Sequence, residues 1–193
     1  MNGFRAFLDP ERLHAPNVRD QLVIWATYAM GITAAFWGTI YFSAGETLAA
    51  SIPWSYSILS ALSLVLIKKF PNYSLLRQSQ LAFSLLLPFF LMIALGGWVN
   101  SSAVVVWSLI SPLGALIYSG TRRATYWFLA FLILIAIGIF VDFPALSHTN
   151  SIPPLFIILF FAMNISGLST VAFIILRYFV KANERAYELL EKE

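Results

Sequence analysis

The chemistry open to this chain is bounded first by the residues it lacks. There is no cysteine, and the two histidines, His14 and His148, stand far apart in sequence. A thiol nucleophile and a disulfide framework are therefore excluded, and two distant histidines without cysteine do not easily build a metal site of ordinary ligand count. The chain contains no G-x-x-x-x-G-K-[ST] phosphate loop, no H-E-x-x-H and no G-x-S-x-G, and no segment offers paired carboxylates for two metal ions. Catalytic residues, metal ligands and cofactor sites are accordingly not expected within these residues. The polar groups that remain are uncharged and sit among apolar ones. Trp98, Asn100, Trp107 and Asn164 are the side chains expected to border a pocket open to the outer leaflet, where an amide or an indole N–H could hold a small apolar or lipid-like ligand.

The elements that must position these groups follow from composition. Hydrophobic residues make up 60% of the 193 and charged residues 11%, against about 25% charged in a soluble domain. The formal net charge is +3, too small to point to a nucleic-acid partner; the partner implied is the lipid bilayer. A crossing needs roughly 20 mostly apolar residues. Six segments qualify, at about residues 22–42, 52–67, 81–99, 102–119, 125–141 and 153–176, the second and fifth being short. The fold class expected is all-α, a polytopic membrane protein of six transmembrane helices, with a cytoplasmic segment at 1–21 and a transmembrane domain at 22–176.

Charge placement orients the spans. All twelve Lys and Arg residues fall in alternate connections: Arg5, Arg12 and Arg19, then Lys68, Lys69 and Arg77, then Arg122 and Arg123, then Arg177, Lys181, Arg185 and Lys192. The intervening loops hold none, carrying Glu46, Asp142 and His148 instead. The positive-inside rule puts both termini in the cytoplasm. Glu46, just beyond the first span, reads as a solvated loop residue. No Lys, Arg or Asp lies at mid-depth, which weighs against a pump, an ion transporter or a voltage sensor.

Inside the spans the small and polar residues indicate close packing. Gly31 with Ala35, and Ala34 with Gly38, are spaced four apart in the first span, a pattern that lets helix backbones approach. Pro88 and Pro112 lie within the third and fourth spans and are expected to kink them, with Ser108 and Ser111 placed to bond the carbonyls that Pro112 frees. Ser101 or Ser102 is placed to cap the fourth helix.

The final residues, 177–193, are charged and free of proline and glycine, so the sixth helix is expected to continue into water as a cytoplasmic signalling helix. Leu176, Val180, Asn183, Tyr187 and Leu190 step by four, three, four and three, a seam for a paired helix with one polar position to fix register. The run covers only about two heptads, and a solvated helix end is the competing reading.

The stretch "NSSAVVVWSLISPLGALIY" (Asn100 to Tyr118), followed by "TRRATYW" and "FVKANERAYELLEKE", resembles the six-span membrane domain of bacterial class III adenylate/guanylate cyclases. The resemblance covers the layout of the whole chain. It implies that the chain is the membrane part of a longer homodimeric cyclase of the bacterial inner membrane, joined through span six and the exit helix. ATP and a divalent metal would belong to a catalytic domain that is not among these residues, and no catalytic role carries over to any position here. The input domain of a six-span sensor histidine kinase, a small transporter and a plain anchor are the other readings.

Overall fold

The structure, a computed structural model, describes residues 18–145 and 150–190. All regular structure among them is helical: α1 (Val18–Ser43), α2 (Thr47–Lys69), α3 (Tyr73–Ala94), the short α4 (Gly97–Asn100), a 3-10 helix (Val104–Leu109) running into α5 (Ile110–Ser119), α6 (Thr121–Ala145) and α7 (Pro154–Leu190). Five of these are long and apolar enough to cross a membrane: Asp20–Ser43, Thr47–Lys69, Tyr73–Ala94, Thr121–Phe140 and Pro154–Arg177. Large apolar side chains such as Trp25, Ile32, Phe36, Ile133, Phe140 and Phe173 are exposed along them, the surface that lipid covers and water does not tolerate at this extent.

Two differences from the sequence reading concern element boundaries. The expected second and fifth spans are 23 and 25 residues long, because helical backbone continues through flanking polar residues where hydropathy has already fallen. The expected fourth span, 102–119, is not one α-helix. It follows α4 through Ser102 and Ala103, both with positive φ (58° and 54°), then runs as a 3-10 helix before becoming α-helical. Neither Ser101 nor Ser102 caps it. Ser101 Oγ donates to the Trp98 carbonyl at 3.2 Å, and Ser102 Oγ reaches across to the Ile157 carbonyl of α7 at 2.8 Å.

The prolines also act differently from one another. Pro88 lies deep inside α3 and supplies no N–H to the carbonyl of Ser84. One residue along, the Leu85 carbonyl accepts from Ser108 Oγ at 2.7 Å, so the serine expected to serve Pro112 serves the neighbouring helix instead. Pro112 is the third residue of α5, in a first turn where a missing N–H costs little. Ser111 Oγ is buried and has no partner.

Helix α3 is the hub. It touches α1, α2, α4, the 3-10 helix, α5 and α6, whereas α7 meets chiefly the 3-10 helix and, to a lesser degree, α5. Of the most apolar 18 residues in each, 39% are buried in α3 and 11% in α7. The tightest pair is the α1–α2 hairpin. There Ser57 Oγ donates to the Gly31 carbonyl at 2.8 Å, and the indole of Trp54 lies where a side chain at Gly38 would stand, 2.3 Å from an added Cβ. The small residues of α1 therefore admit α2 as their spacing anticipates.

The segments that follow α1 and α3 and precede α7 are laced to one another. Gly96 and Gly97 take φ of 89° and 93°, a left-handed pair that only glycine adopts freely, and turn the chain from α3 into α4. The Asn150 amide donates to the carbonyls of Leu95 (2.9 Å) and Asn100 (2.8 Å), and its oxygen accepts from the Ile152 N–H at 3.1 Å. Glu46 is buried and accepts from the Ser151 backbone N–H, which replaces the solvated role expected for it. At the opposite end Arg77 pairs with Asp20, tying the start of α3 to the start of α1.

Candidate functional site

A cavity of about 120 Å3 lies among α1, α2, α3, the 3-10 helix and α7. Its walls are mainly apolar, with Met30, Ala34, Ile52, Phe83, Leu87 and Leu91 prominent, and two prolines, Pro53 and Pro88, are part of them. A wider hollow of about 380 Å3 lies between α1 and α2 alone, reaching Lys68. No charged side chain borders the first cavity.

One wall is formed by the junction of the 3-10 helix with α7. The Trp107 indole N–H donates to Asn164 Oδ1 at 2.9 Å, and Asn164 Nδ2 donates to the Ser102 carbonyl at 2.8 Å. Together with the bond from Ser102 Oγ to Ile157, these close a ring of three bonds between two elements. Asn164 is 4% exposed, so its amide is held at both ends where lipid could offer nothing. The Trp107 ring fits because residue 167 is glycine: a Cβ there would lie 2.9 Å from the indole.

Three aromatic rings close the end of the cavity nearer the α1–α2 turn. Trp37 and Phe160 meet edge to face with centroids 5.1 Å apart, and Tyr41 meets Phe160 at 6.4 Å. Tyr41 is 3% exposed, and no hydrogen bond joins its hydroxyl to a described residue. At the deep end Tyr56 donates to Gln80 Oε1 at 3.0 Å, Ser60 Oγ lies 3.4 Å from the same oxygen, and Ser84 Oγ donates to the Gln80 carbonyl at 2.8 Å. Gln80 Nε2 is buried without a partner.

Of the four residues singled out from sequence, the structure brings two together at the cavity, Trp107 and Asn164. Trp98 stands apart, its indole 3.1 Å from where a Cβ on Gly138 of α6 would be. Asn100 is used in the turn between α3 and the 3-10 helix, donating to the Gly96 carbonyl at 3.0 Å. The cavity also contains Tyr41, Tyr56 and Ser84, backed by Gln80, which sequence reasoning missed. Gln80 stands one residue before the third span as read from hydropathy, and only the helix that starts at Tyr73 brings it among the packed residues, where an amide needs a partner on another helix. In the seam, Leu176 and Val180 are exposed, while the side chains of Asn183, Tyr187 and Leu190 lie outside the described residues. Among the described residues no group of three or more His, Cys, Asp or Glu could hold a metal ion.

The walls of the site combine apolar side chains with hydroxyl, amide and indole groups, and no charged side chain is among them. Comparison with models of known families, with curated proteins and with solved structures gives no match to this chain.

Proposed function

We propose that the chain is the membrane anchor and sensory input module of a class III nucleotide cyclase, acting as a homodimer in the bacterial inner membrane with both termini in the cytoplasm. The observation that carries the reading is α7. It runs unbroken for 37 residues, from Pro154 to Leu190, about 55 Å at the α-helical rise, and so continues 13 residues beyond the apolar stretch that ends at Arg177. A helix long enough to leave the membrane, and gripped mainly at one junction, is suited to carry a change in bundle packing outward.

Two further features support it. In this reading the 3-10 helix and α5 make the sixth crossing. Six residues at the 3-10 rise followed by ten at the α rise extend about 27 Å, close to a hydrocarbon core of roughly 30 Å. An even number of crossings then agrees with the placement of every Lys and Arg on one side. The motif that resembles the cyclase membrane domain includes the 3-10 helix and α5, where Trp107 meets Asn164 of α7. A stimulus acts in such a module only if it binds two arrangements of the bundle with different affinity, and the Trp107–Asn164 junction is where occupancy of the cavity meets the output helix.

The test is phase dependence. The catalytic domain of a homodimeric class III cyclase is joined after Glu193, with zero to seven alanines inserted after Lys181, and cyclic AMP is measured in cells lacking their own cyclase. Each insertion rotates the output by about 100°. Activity is expected to rise and fall with a period near 3.6 residues. Activity indifferent to insertion length reduces the chain to an anchor, and its absence throughout the series removes the cyclase reading.

A further inference from the structure

We propose that the cavity among α1, α2, α3, the 3-10 helix and α7 is a binding site for a small, neutral, hydroxyl-bearing apolar molecule about the size of one substituted aromatic ring, a simple phenol being the type. The proposal gives the input module its input. It rests on that reading for its signalling consequence but not for binding, which concerns the bundle alone.

Size is the first argument. A cavity of about 120 Å3 is on the order of the engineered 150 Å3 cavity that admits benzene, and it is too small for a folded acyl chain. Charge is the second. No Lys, Arg, Asp, Glu or His lines the walls, so an ionised ligand would be desolvated without compensation.

The polarity of the wall is the third, and it selects the functional group. The Thr33 hydroxyl donates its proton to the Ala29 carbonyl at 2.9 Å, Tyr56 donates to Gln80, and Ser84 donates to the Gln80 carbonyl. All three protons are committed, and what these hydroxyls still offer is lone pairs. The Ser84 carbonyl, deprived of an N–H by Pro88, adds another acceptor. A guest must therefore bring a donor. Tyr41 is the complementary group: it lines the cavity, its hydroxyl is joined by no hydrogen bond to a described residue, and a phenol can both give and receive. A hydroxyl on the guest satisfies both kinds of wall, whereas a ketone or an ether satisfies only Tyr41.

Access is the fourth. α1 and α7 meet mainly through Trp37 and Tyr41 against Phe160, and Thr33, on the cavity wall, is exposed to the surroundings. A membrane-dissolved molecule can enter from the lipid between these helices.

The experiment uses the full 193-residue chain in phosphatidylcholine nanodiscs, with 4-propylphenol as probe and propylbenzene and 4-propylanisole as comparators. Trp37 and Trp107 border the cavity and report occupancy through their fluorescence, alongside the thermal midpoint. Saturable binding of 4-propylphenol is expected, at least ten-fold tighter than that of either comparator. The isosteric Tyr41→Phe should shrink that preference to three-fold or less, and Ala34→Leu should abolish saturation while leaving the helical circular dichroism unchanged. Equal, non-saturating responses to all three probes would mean partitioning into lipid and overturn the proposal. So would a preference that survives both substitutions, or quenching of the cavity tryptophans by acyl-brominated lipid in the absence of probe, which would make a lipid tail the occupant. Because no cyclase is present, failure here leaves the phase test untouched, and failure of the phase test leaves this binding result standing.

Discussion

Trp107 and Asn164 are 57 positions apart, yet they form the most consequential contact between the last helix and the rest of the bundle. Interhelical hydrogen bonds in membranes contribute about 0.6 kcal/mol on average and about 1.7 at most. Asn164→Leu removes the acceptor for Trp107 and the donor to Ser102 together, so a loss of about 1–2 kcal/mol is expected in reversible unfolding by increasing fractions of sodium dodecyl sulfate. A double-mutant cycle with Trp107→Phe should show coupling, and strict additivity would mean that the bond contributes nothing. Gly167→Ala tests the same contact sterically. Its methyl group would sit 2.9 Å from the indole, and overpacking of this kind costs about 1–3 kcal/mol. A blue or red shift in Trp107 fluorescence should accompany it, read against a Trp107→Phe background. Asn164 as a polar group inside a span was legible in the sequence. Its partner was not, because a hydrogen bond between helices depends on the rotation and depth of each, and no residue spacing within one helix encodes either. Tyr41 and Tyr56 were passed over for a related reason: in an aromatic-rich membrane protein a tyrosine reads as an interfacial belt residue until its burial is known.

At the level of elements, the segment between α3 and α5 departs furthest from its pattern. Its hydropathy is that of a plain span, yet the chain makes a four-residue helix, two left-handed residues and a 3-10 turn before settling into α5. Ser102 and Ala103 are the strained pair, since a residue with a Cβ pays about 1–2 kcal/mol in this conformation. Ala103→Gly is therefore expected to raise stability by about 1 kcal/mol in the same unfolding assay. Ser102→Gly removes equal strain but also the bond from Ser102 Oγ to Ile157, and should come out near neutral. If both variants destabilise, the left-handed pair is not a source of strain. The start of α3 supplies a further case. Asp20 is buried and paired with Arg77, so Arg77→Ala withdraws a compensating charge and should cost about 1–3 kcal/mol, whereas Lys68→Ala, an exposed charge, should change little. The sequence marked Arg77 only as a topology signal. That it also clamps α1 to α3 required knowing that the two helix ends are neighbours.

For the molecule as a whole, the arrangement is a bundle centred on α3 with α7 held at its edge. The absence of native cysteine makes topology directly testable. Single cysteines at Ser43, Phe70, Thr121 and Ser151, all exposed positions, should alternate: the first and last labelled by an impermeant maleimide from outside intact cells, the middle two only after permeabilisation. Labelling of position 121 from outside would mean that the 3-10 helix and α5 do not cross, leaving five spans and termini on opposite sides.

The sequence by itself determined the helical class, the five helices long and apolar enough to cross a membrane and the small-residue face through which α1 meets α2. These depend on composition and on periodicity within single segments, and the energetic cost of exposing backbone to lipid leaves helix as the only form such segments can take. The tertiary structure alone decided the broken form of the fourth segment, the bond between Trp107 and Asn164, the burial of Glu46 and Gln80, and the existence of a cavity with committed hydroxyl protons on one wall and an unpaired phenol on another. Each of these is a relation between helices, fixed by their relative depth and rotation.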